Sequence, residues 1–193
     1  MRLALLLLAA LPVFGAYANG YTYRRALTIQ AGQITGTLTD FPMLVAGTHA
    51  ELADTGNGGL VTSSLGYDII YTASDGTTAL KFEREFYDNA TGQIASWVKV
   101  PSAAVGTVIY EYYGNAAVTT DQSDKVNVWD ANFKAVYHLP NGSTLTANDS
   151  TSGAFNGTLV NTPTAAAGQI DGAANFAAAS SEYISASGTP ITT

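Results

Sequence analysis

The 193-residue chain contains no cysteine, so disulfide bonds, thiolate chemistry and cysteine-ligated metal sites are all excluded. Charged residues are few, at 12%, and only 8 are Lys or Arg against 15 Asp and Glu. Nucleic-acid binding needs clustered cations that neutralise phosphates, and a net charge of −7 argues against it. The same shortage of cations argues against binding to an anionic membrane surface.

Apolar and aromatic residues are abundant. Hydrophobic residues make up 47% of the chain and aromatic residues 10%, which is enough apolar surface for a sizeable core. The polar residues are mostly Thr, Ser, Asn and Gly rather than charged types. This composition is typical of an extracellular β-protein whose polar faces carry hydroxyls and amides.

The N-terminus has the pattern of a signal peptide. Arg2 precedes the apolar run LALLLLAALPVF, and small residues follow at Ala16 and Ala18. We expect cleavage between Ala18 and Asn19, with no membrane insertion afterwards, because the run is too short to cross a bilayer as a helix. This predicts a protein that is secreted, at the cell surface or in the periplasm. The lack of cysteine favours a Gram-negative bacterial route of export.

Period-two alternation and turn residues predict antiparallel β-structure from Gly20 onward. The expected strands are YTYRRALTI, FPMLVA, GYDIIYTAS, ALKFEREFYD, QIASWVKVP and TVIYEYYGN, with a single helical turn at HAELAD. In the first strand, the largely apolar face has to accommodate Arg25. We expect the four strands within Gly66–Asn115 to form an antiparallel meander.

Glu83 and Glu85 are the candidate catalytic pair. Residues at i and i+2 of a strand share a face and lie roughly 7 Å apart, a spacing that glycosidase carboxylates can use. Lys81, on the same face, favours the ionised form of both, so a polar strand face is the better interpretation. We therefore predict no catalytic residue and no enzyme activity. Arg84 falls on the apolar face, where Asp68 or Glu111 is its expected partner.

Aromatic side chains offer a second candidate site. Trp97, Tyr113 and Trp129 are the predicted ligand-binding residues, since a flat aromatic platform holds sugars without chemistry. The alternative is that the aromatic residues fill the interior of a sandwich. Tyr110 and Tyr112 share parity with Val108 and are expected in the core.

A turn-rich segment near the C-terminus offers oxygen ligands for calcium. Asn148, Asp149 and Asn156 are the candidate ligands, because Ca²⁺ accepts six to eight hard oxygens in flexible geometry. The pattern of an EF-hand is missing, and simple turns are the alternative reading of the same residues. The prediction is no cofactor, with calcium as the one ion that the chemistry allows.

The ordered motifs resemble a known bacterial family. The series YTYRRALTI, FPMLV, GYDIIYTASDGTTALKFEREFYD, ASWVKVP, VIYEYYGN and VWDANFKAVYHL, within Gly20–Leu139, is similar to the bacterial domain of unknown function 2341. The resemblance implies a secreted or surface protein whose domain often precedes a laminin-G or concanavalin-like jelly roll. In some proteins it precedes a proton-channel segment of the MotA/TolQ/ExbB type. It implies no activity and transfers no catalytic residue.

The C-terminal segment resembles the opening strands of such a jelly roll. FNGTLV, AANFAAA and EYISAS are strand-like pieces, and AVYHL is a further one. Such a sandwich needs more residues than remain here, so the roll is expected to be partial. The predicted organisation is a signal peptide at 1–18, a β-sandwich domain at 19–130 and the N-terminal part of the jelly roll at 131–193.

The sequence therefore predicts an all-β fold: an antiparallel β-sandwich followed by a truncated concanavalin-like jelly roll. The expected function is that of an exported, non-enzymatic surface module for adhesion or carbohydrate binding, with an extracellular glycan or surface protein as partner. The alternative is a structural subunit of a fibre or filament, or the periplasmic ectodomain of a MotA/TolQ/ExbB-type protein, with self-assembly through strand edges.

Overall fold

The computed structural model describes Tyr17, residues 19–140, residues 144–186 and Gly188. The chain divides into two compact units, Met1–Asp124 and Lys125–Thr193. Apart from Tyr17, the predicted signal peptide lies outside the described residues. Within the described part of the chain, no helix has the length and apolarity needed to span a membrane.

In its described residues, the first unit contains six strands and two short 3-10 helices. The strands are β1 Tyr23–Thr28, β2 Leu38–Thr48, β3 Ile70–Ala73, β4 Phe82–Asp88, β5 Gln93–Ala103 and β6 Val108–Tyr113. The 3-10 helices are Ala50–Leu52 and Thr55–Asn57. The predicted strands and the single helical turn are confirmed at these positions.

These six strands form two antiparallel sheets. The first sheet has the order β1-β6-β3, and the second has the order β2-β5-β4. The prediction of a meander through Gly66–Asn115 is wrong, because β3 and β6 lie in one sheet while β4 and β5 lie in the other. The tight turn after β3 leads the chain across to the second sheet, and only an isolated bridge, Thr72 to Ala79, joins the two sides of that turn.

The core lies between the inner faces of the two sheets. The first sheet contributes Leu27 and Ile109, and the second contributes Val45, Ile94 and Val98. Burying each aliphatic side chain of this size stabilises the fold by about 1.5–3 kcal/mol. The all-β prediction and the antiparallel β-sandwich are thus confirmed for the first unit.

The turn between β4 and β5 requires glycine at its last position. Gly92 has a φ of +71°, and a Cβ placed there would lie 2.0 Å from the carbonyl oxygen of His49. A side chain would therefore meet both backbone strain and a backbone clash. The sequence predicts this turn correctly, from Asn89 to Gly92.

The part of the second unit that the structure describes has two small antiparallel sheets and two 3-10 helices. Its strands are β7 Gly157–Val160, β8 Thr164–Ala167, β9 Gly172–Asn175 and β10 Tyr183–Ala186, and its helices are Lys125–Asn127 and Ala178–Ser180. β10 pairs with β7, and β8 pairs with β9. Three predicted strand pieces are confirmed as β7, β9 and β10. β8 was not predicted, and AVYHL forms only a bridge from Tyr137 to Asp149.

Candidate functional site

A buried row of polar side chains crosses the inner face of the first sheet. Glu111 of β6 is the register partner of Arg25 on one side and of Tyr71 on the other. Glu111 accepts a hydrogen bond from Nε of Arg25 through Oε2, and one of 2.8 Å from the Tyr71 hydroxyl through Oε1. Arg25 is 2% exposed, and the other two are 0% exposed. The charge of Arg25 is thus paired within its own sheet, while its Nη1 lies 3.7 Å from Oε1 of Glu51 and is buried without a hydrogen-bond partner among the described residues.

The electrostatics of this row are governed by burial. Desolvation lowers the pKa of the Arg25 guanidinium, but the charge of Glu111 and its hydrogen bond outweigh this and raise the pKa overall. Burial, followed by the charge of Glu111, raises the pKa of the Tyr71 hydroxyl well above its usual range. The row is therefore a fixed pair of opposite charges, with Tyr71 held as a neutral donor.

A second buried carboxylate fixes the corner that follows β6. Asp68 accepts hydrogen bonds from the backbone N–H groups of Ser63, Gly114 and Asn115, at 3.0, 3.1 and 3.1 Å. Thr62 donates two more, from its N–H at 2.8 Å and its hydroxyl at 2.7 Å. One carboxylate therefore ties two chain segments together and positions Asn115, which lines the cleft described next.

The first unit carries a cleft of about 450 Å³ beside β3, the edge strand of the first sheet. Its floor is β3, which contributes Ile70, Tyr71 and Thr72. Polar side chains without formal charge make up much of its lining: Asn19, Tyr21, Thr72, Thr77, Asn115 and Gln122. Leu80, Phe82 and Val118 add apolar surface. The volume falls within the roughly 300–1,000 Å³ of small-ligand pockets.

An ion pair stands at one end of the cleft. Nζ of Lys81 lies 2.6 Å from Oδ2 of Asp124, and the two side chains are 56% and 29% exposed. An exposed pair of this kind contributes at most about 1 kcal/mol to stability. Its consequence for the cleft is that the charges of Lys81 and Asp124 neutralise each other, so the lining has no net charge at this end.

Tyr21 also lines the cleft. Its ring contacts the Tyr112 ring edge-on, with the centroids 6.0 Å apart. Burial, with the negative charge of Asp68 as the second cause, raises the pKa of Tyr21 to about 12. The hydroxyl therefore remains protonated at any physiological pH and can act as a hydrogen-bond donor.

The predicted aromatic platform is not assembled in one place. Trp97 lies in β5 of the second sheet, where its Nε1 donates to Oε2 of Glu85 at 2.6 Å. Tyr113 lies in β6 of the first sheet, buried to 4% exposure and stacked on Tyr23 at 5.6 Å between centroids. Trp129 is a buried residue of the second unit, in edge contact with Phe133 at 5.1 Å. None of the three lines the cleft.

The parity prediction for β6 is wrong about which residues join the core between the sheets. That core contains Ile109 and Tyr113, on the same side as Glu111, whereas Tyr110 and Tyr112 lie on the other face of the sheet. Tyr112 is nevertheless buried, at 1% exposure, as the prediction expects. Both alternating sets of β6 are largely apolar, so alternation alone did not decide which set faces the core. The outer-face tyrosines belong to the same surface as the cleft floor, since Tyr112 is the register partner of Ile70.

Glu83 and Glu85 lie outside the cleft. Glu83 is buried and is the register partner of Trp97, so the expectation of a hydrated strand face is wrong for this residue. A β-bulge between Arg84 and Phe86 displaces Glu85 from the regular ladder. The carboxylate of Glu85 is held by the Trp97 indole, as described above.

The partner predicted for Arg84 is wrong. Its Nη2 lies 2.6 Å from Oδ1 of Asp121, and its Nη1 donates to the carbonyl of Gly66 at 2.8 Å. Neither Asp68 nor Glu111 takes this role, since the first binds backbone amides and the second binds Arg25. Asp121 stands in an irregular segment well beyond the predicted meander, so strand pairing could not have identified it.

Two of the predicted calcium residues, Asp149 and Asn156, form a turn network, whereas Asn148 is exposed and takes no part in these hydrogen bonds. Oδ1 of Asp149 accepts the N–H groups of Val136 and Thr151, and its Oδ2 accepts the Thr151 hydroxyl and the Phe155 N–H. Asn156 accepts the Asp149 N–H at 2.9 Å through Oδ1. Burial raises the pKa of Asp149, but these hydrogen bonds outweigh it and lower the pKa overall. Among the described residues, no three His, Cys, Asp or Glu side chains form a metal-binding group.

Sequence reasoning did not find the cleft, because its lining comes from separate segments. These are residues 19–21, strand β3, residues 77–82 and the irregular stretch from Asn115 to Asp124. Taken alone, the sequence pattern of each segment predicts only a turn or the end of a strand. The one signal available was the density of uncharged polar residues around Thr77, Asn115 and Gln122, in a chain with so few charges.

Comparison with known proteins supports part of the resemblance. Residues 66–140 match the family described as "Domain of unknown function (DUF2341)". The matched segment begins before β3, runs through β6 and continues into the first residues of the second unit. No curated protein and no solved structure matches the chain. A jelly roll in the C-terminal segment is not among these matches and stays a prediction.

Proposed function

We propose that the chain is an exported, non-enzymatic surface module whose first unit binds a saccharide in the cleft. The observation that carries the proposal is the lining: amides and hydroxyls from Asn19, Thr77, Asn115 and Gln122 beside apolar surface from Leu80, Phe82 and Val118. Saccharides present hydroxyls and C–H patches side by side, and such a mixed lining complements both. The resemblance to a domain of secreted proteins and the signal-peptide pattern support the location.

The charges of the cleft support binding rather than hydrolysis. Glycoside hydrolysis uses two carboxyl groups that flank the scissile bond. Among the described residues that line the cleft, Asp124 carries the one carboxylate, and it is paired with Lys81. Glu83 and Glu85 lie elsewhere, in β4. We therefore place the function of the module in recognition, with adhesion as the result.

Filling the cleft tests this function. Ala79 is exposed and lines the cleft, so tryptophan at this position occupies the volume where the saccharide is proposed to sit. We expect Ala79→Trp to weaken the binding of a saccharide selected on a glycan array by at least about 30-fold, equivalent to about 2 kcal/mol. Isothermal titration calorimetry on the purified mature chain measures this change.

Ala90 supplies the matched control. It is exposed in the turn between β4 and β5 and does not line the cleft. We expect Ala90→Trp to bind within about twofold of the unmodified chain, since a factor of two is only about 0.4 kcal/mol. A folded Ala79→Trp variant with unchanged affinity, or an array on which no glycan binds, would remove the cleft as a saccharide site.

Assembly through a strand edge is the second candidate function, and strand β2 favours it. β2, Leu38–Thr48, is an edge strand of the second sheet, and the side chains of Leu38 and Phe41 are each 38% exposed. Against assembly, Pro42 and the positive φ of Asp40 interrupt this edge, and many proteins protect an edge strand from pairing in this way, so assembly ranks second to saccharide binding. Light scattering over a range of concentrations separates the two functions, because only a fibre subunit grows in mass with concentration.

A further inference from the structure

Arg24 is held in an aromatic stack on the outer face of the first sheet. The guanidinium carbon lies 4.1 Å from the ring centroid of Tyr110 and 5.8 Å from that of Tyr112. Tyr17, whose ring centroid lies 4.6 Å away, precedes the predicted cleavage site, so the mature chain keeps only the contacts with Tyr110 and Tyr112. Its Nη1 donates to the Tyr112 hydroxyl at 3.0 Å, and that hydroxyl in turn donates to the carbonyl of Gly76 at 3.0 Å. Stacking and the hydrogen bond together fix the orientation of the guanidinium plane.

The charge of Arg24 has no carboxylate to neutralise it. Of the three arginines in the described part of the chain, Arg25 pairs with Glu111 and Arg84 pairs with Asp121, whereas no carboxylate lies within 4 Å of Arg24. The hydrogen bond to the Tyr112 hydroxyl raises the pKa of the Arg24 guanidinium, although partial burial opposes this. A rigid guanidinium, partly exposed and without an anionic partner, is a preorganised receptor for a planar anion.

Arg24 stands next to the cleft. Its register partner is Tyr112, and the next residue across the sheet is Ile70 on the cleft floor. Two strand spacings, roughly 10 Å, therefore separate the backbone of Arg24 from the floor. Tyr21 bridges the same gap, because it lines the cleft and contacts the Tyr112 ring. A saccharide that fills the cleft and extends by one ring along this face reaches Arg24.

We propose that Arg24 binds the carboxylate of a uronic acid in the saccharide, while the neighbouring sugar ring occupies the cleft. This inference rests on the proposed function and names the class of saccharide: an acidic one. A carboxylate fits the edge of a guanidinium through two parallel hydrogen bonds, and Tyr110 presents a ring on which the sugar packs. The net charge of −7 repels acidic saccharides at long range, so their recognition depends on this one contact.

The test compares acidic and neutral forms of the same saccharides. Oligosaccharides of galacturonic, glucuronic and mannuronic acid are titrated beside their carboxyl-reduced counterparts, into the mature chain and into Arg24→Gln and Arg24→Lys. At low salt we expect the unmodified chain to prefer the acidic form by about tenfold, a size consistent with one charge-assisted contact. Arg24→Gln abolishes the preference and keeps the affinity for the neutral form. Arg24→Lys loses most of the preference, because lysine cannot bind a carboxylate through a planar pair of donors.

The outcomes distinguish this inference from the proposed function. Equal binding of both forms by the unmodified chain overturns the role of Arg24 and leaves the saccharide site standing. Failure of both forms to bind overturns the saccharide site and this inference with it. If a folded Arg24→Gln variant no longer binds either the acidic or the neutral saccharide, the inference is also overturned. Arg24 would then support binding in general rather than select a carboxylate. Denaturant unfolding of each variant shows that it is folded.

Discussion

Replacing Glu111 with leucine is expected to lower the free energy of unfolding by about 3–5 kcal/mol, because the buried charge of Arg25 keeps only the partly exposed carboxylate of Glu51, 3.7 Å away. Arg25 and Glu111 are cross-strand neighbours on the inner face of the first sheet, 2% and 0% exposed. Tyr71 loses the acceptor of its hydroxyl in the same variant. Urea unfolding followed by circular dichroism measures the change in the free energy of unfolding.

The paired variant shows whether the uncompensated charge causes the loss. Replacing Arg25 with methionine and Glu111 with leucine removes both charges from the core. We expect this double variant to regain most of the free energy of unfolding that Glu111→Leu alone loses. Lys81→Ala is the control, since Lys81 and Asp124 form an exposed pair, and its cost is expected to stay below about 1 kcal/mol. If Glu111→Leu lowers the free energy of unfolding no more than Lys81→Ala does, the buried ion pair of Arg25 and Glu111 does not contribute to stability as proposed.

Replacing Asp68 with alanine is expected to lower the free energy of unfolding by about 3 kcal/mol, because buried hydrogen-bond donors in two chain segments lose their shared acceptor. The carboxylate accepts hydrogen bonds from Thr62, Ser63, Gly114 and Asn115, and it is fully buried. Chemical denaturation of the variant measures this loss. Because Asn115 lines the cleft, we also expect the affinity for a saccharide to fall.

Asp75 provides the comparison for Asp68. It also accepts several hydrogen bonds, from the Thr77 N–H and from the N–H and hydroxyl of Thr78, but it stands in an exposed turn. Water can replace Asp75 as the acceptor, so Asp75→Ala is expected to destabilise the fold much less than Asp68→Ala. Equal losses for the two variants would contradict the special role of the buried carboxylate.

The sequence predicts the secondary structure of the first unit better than its strand pairing. Alternation places Arg25 on the core face of β1, and turn residues locate the ends of β4 and β5. Alternation does not reveal that β3 pairs with β6 rather than with β4, because that choice depends on packing between residues far apart in the chain. The meander prediction was wrong for this reason.

Two local features limit what parity can predict about side chains. In β6, Val108, Tyr110 and Tyr112 alternate with Ile109, Glu111 and Tyr113, and both sets are largely apolar. The one acidic residue of this strand points into the core, because its partner Arg25 is there too. In β4, the bulge after Arg84 breaks the alternation, so a pattern continued through it assigns the wrong faces.

The cleft as a saccharide site is the central claim, and an NMR titration tests it most directly. Amide resonances of the ¹⁵N-labelled mature chain are followed while a saccharide selected on a glycan array is added. The account predicts that the largest shifts occur at Thr77, Ala79, Asn115 and Gln122 on the cleft wall. Shifts centred on Trp97 in β5, or no shifts at millimolar saccharide, would contradict it.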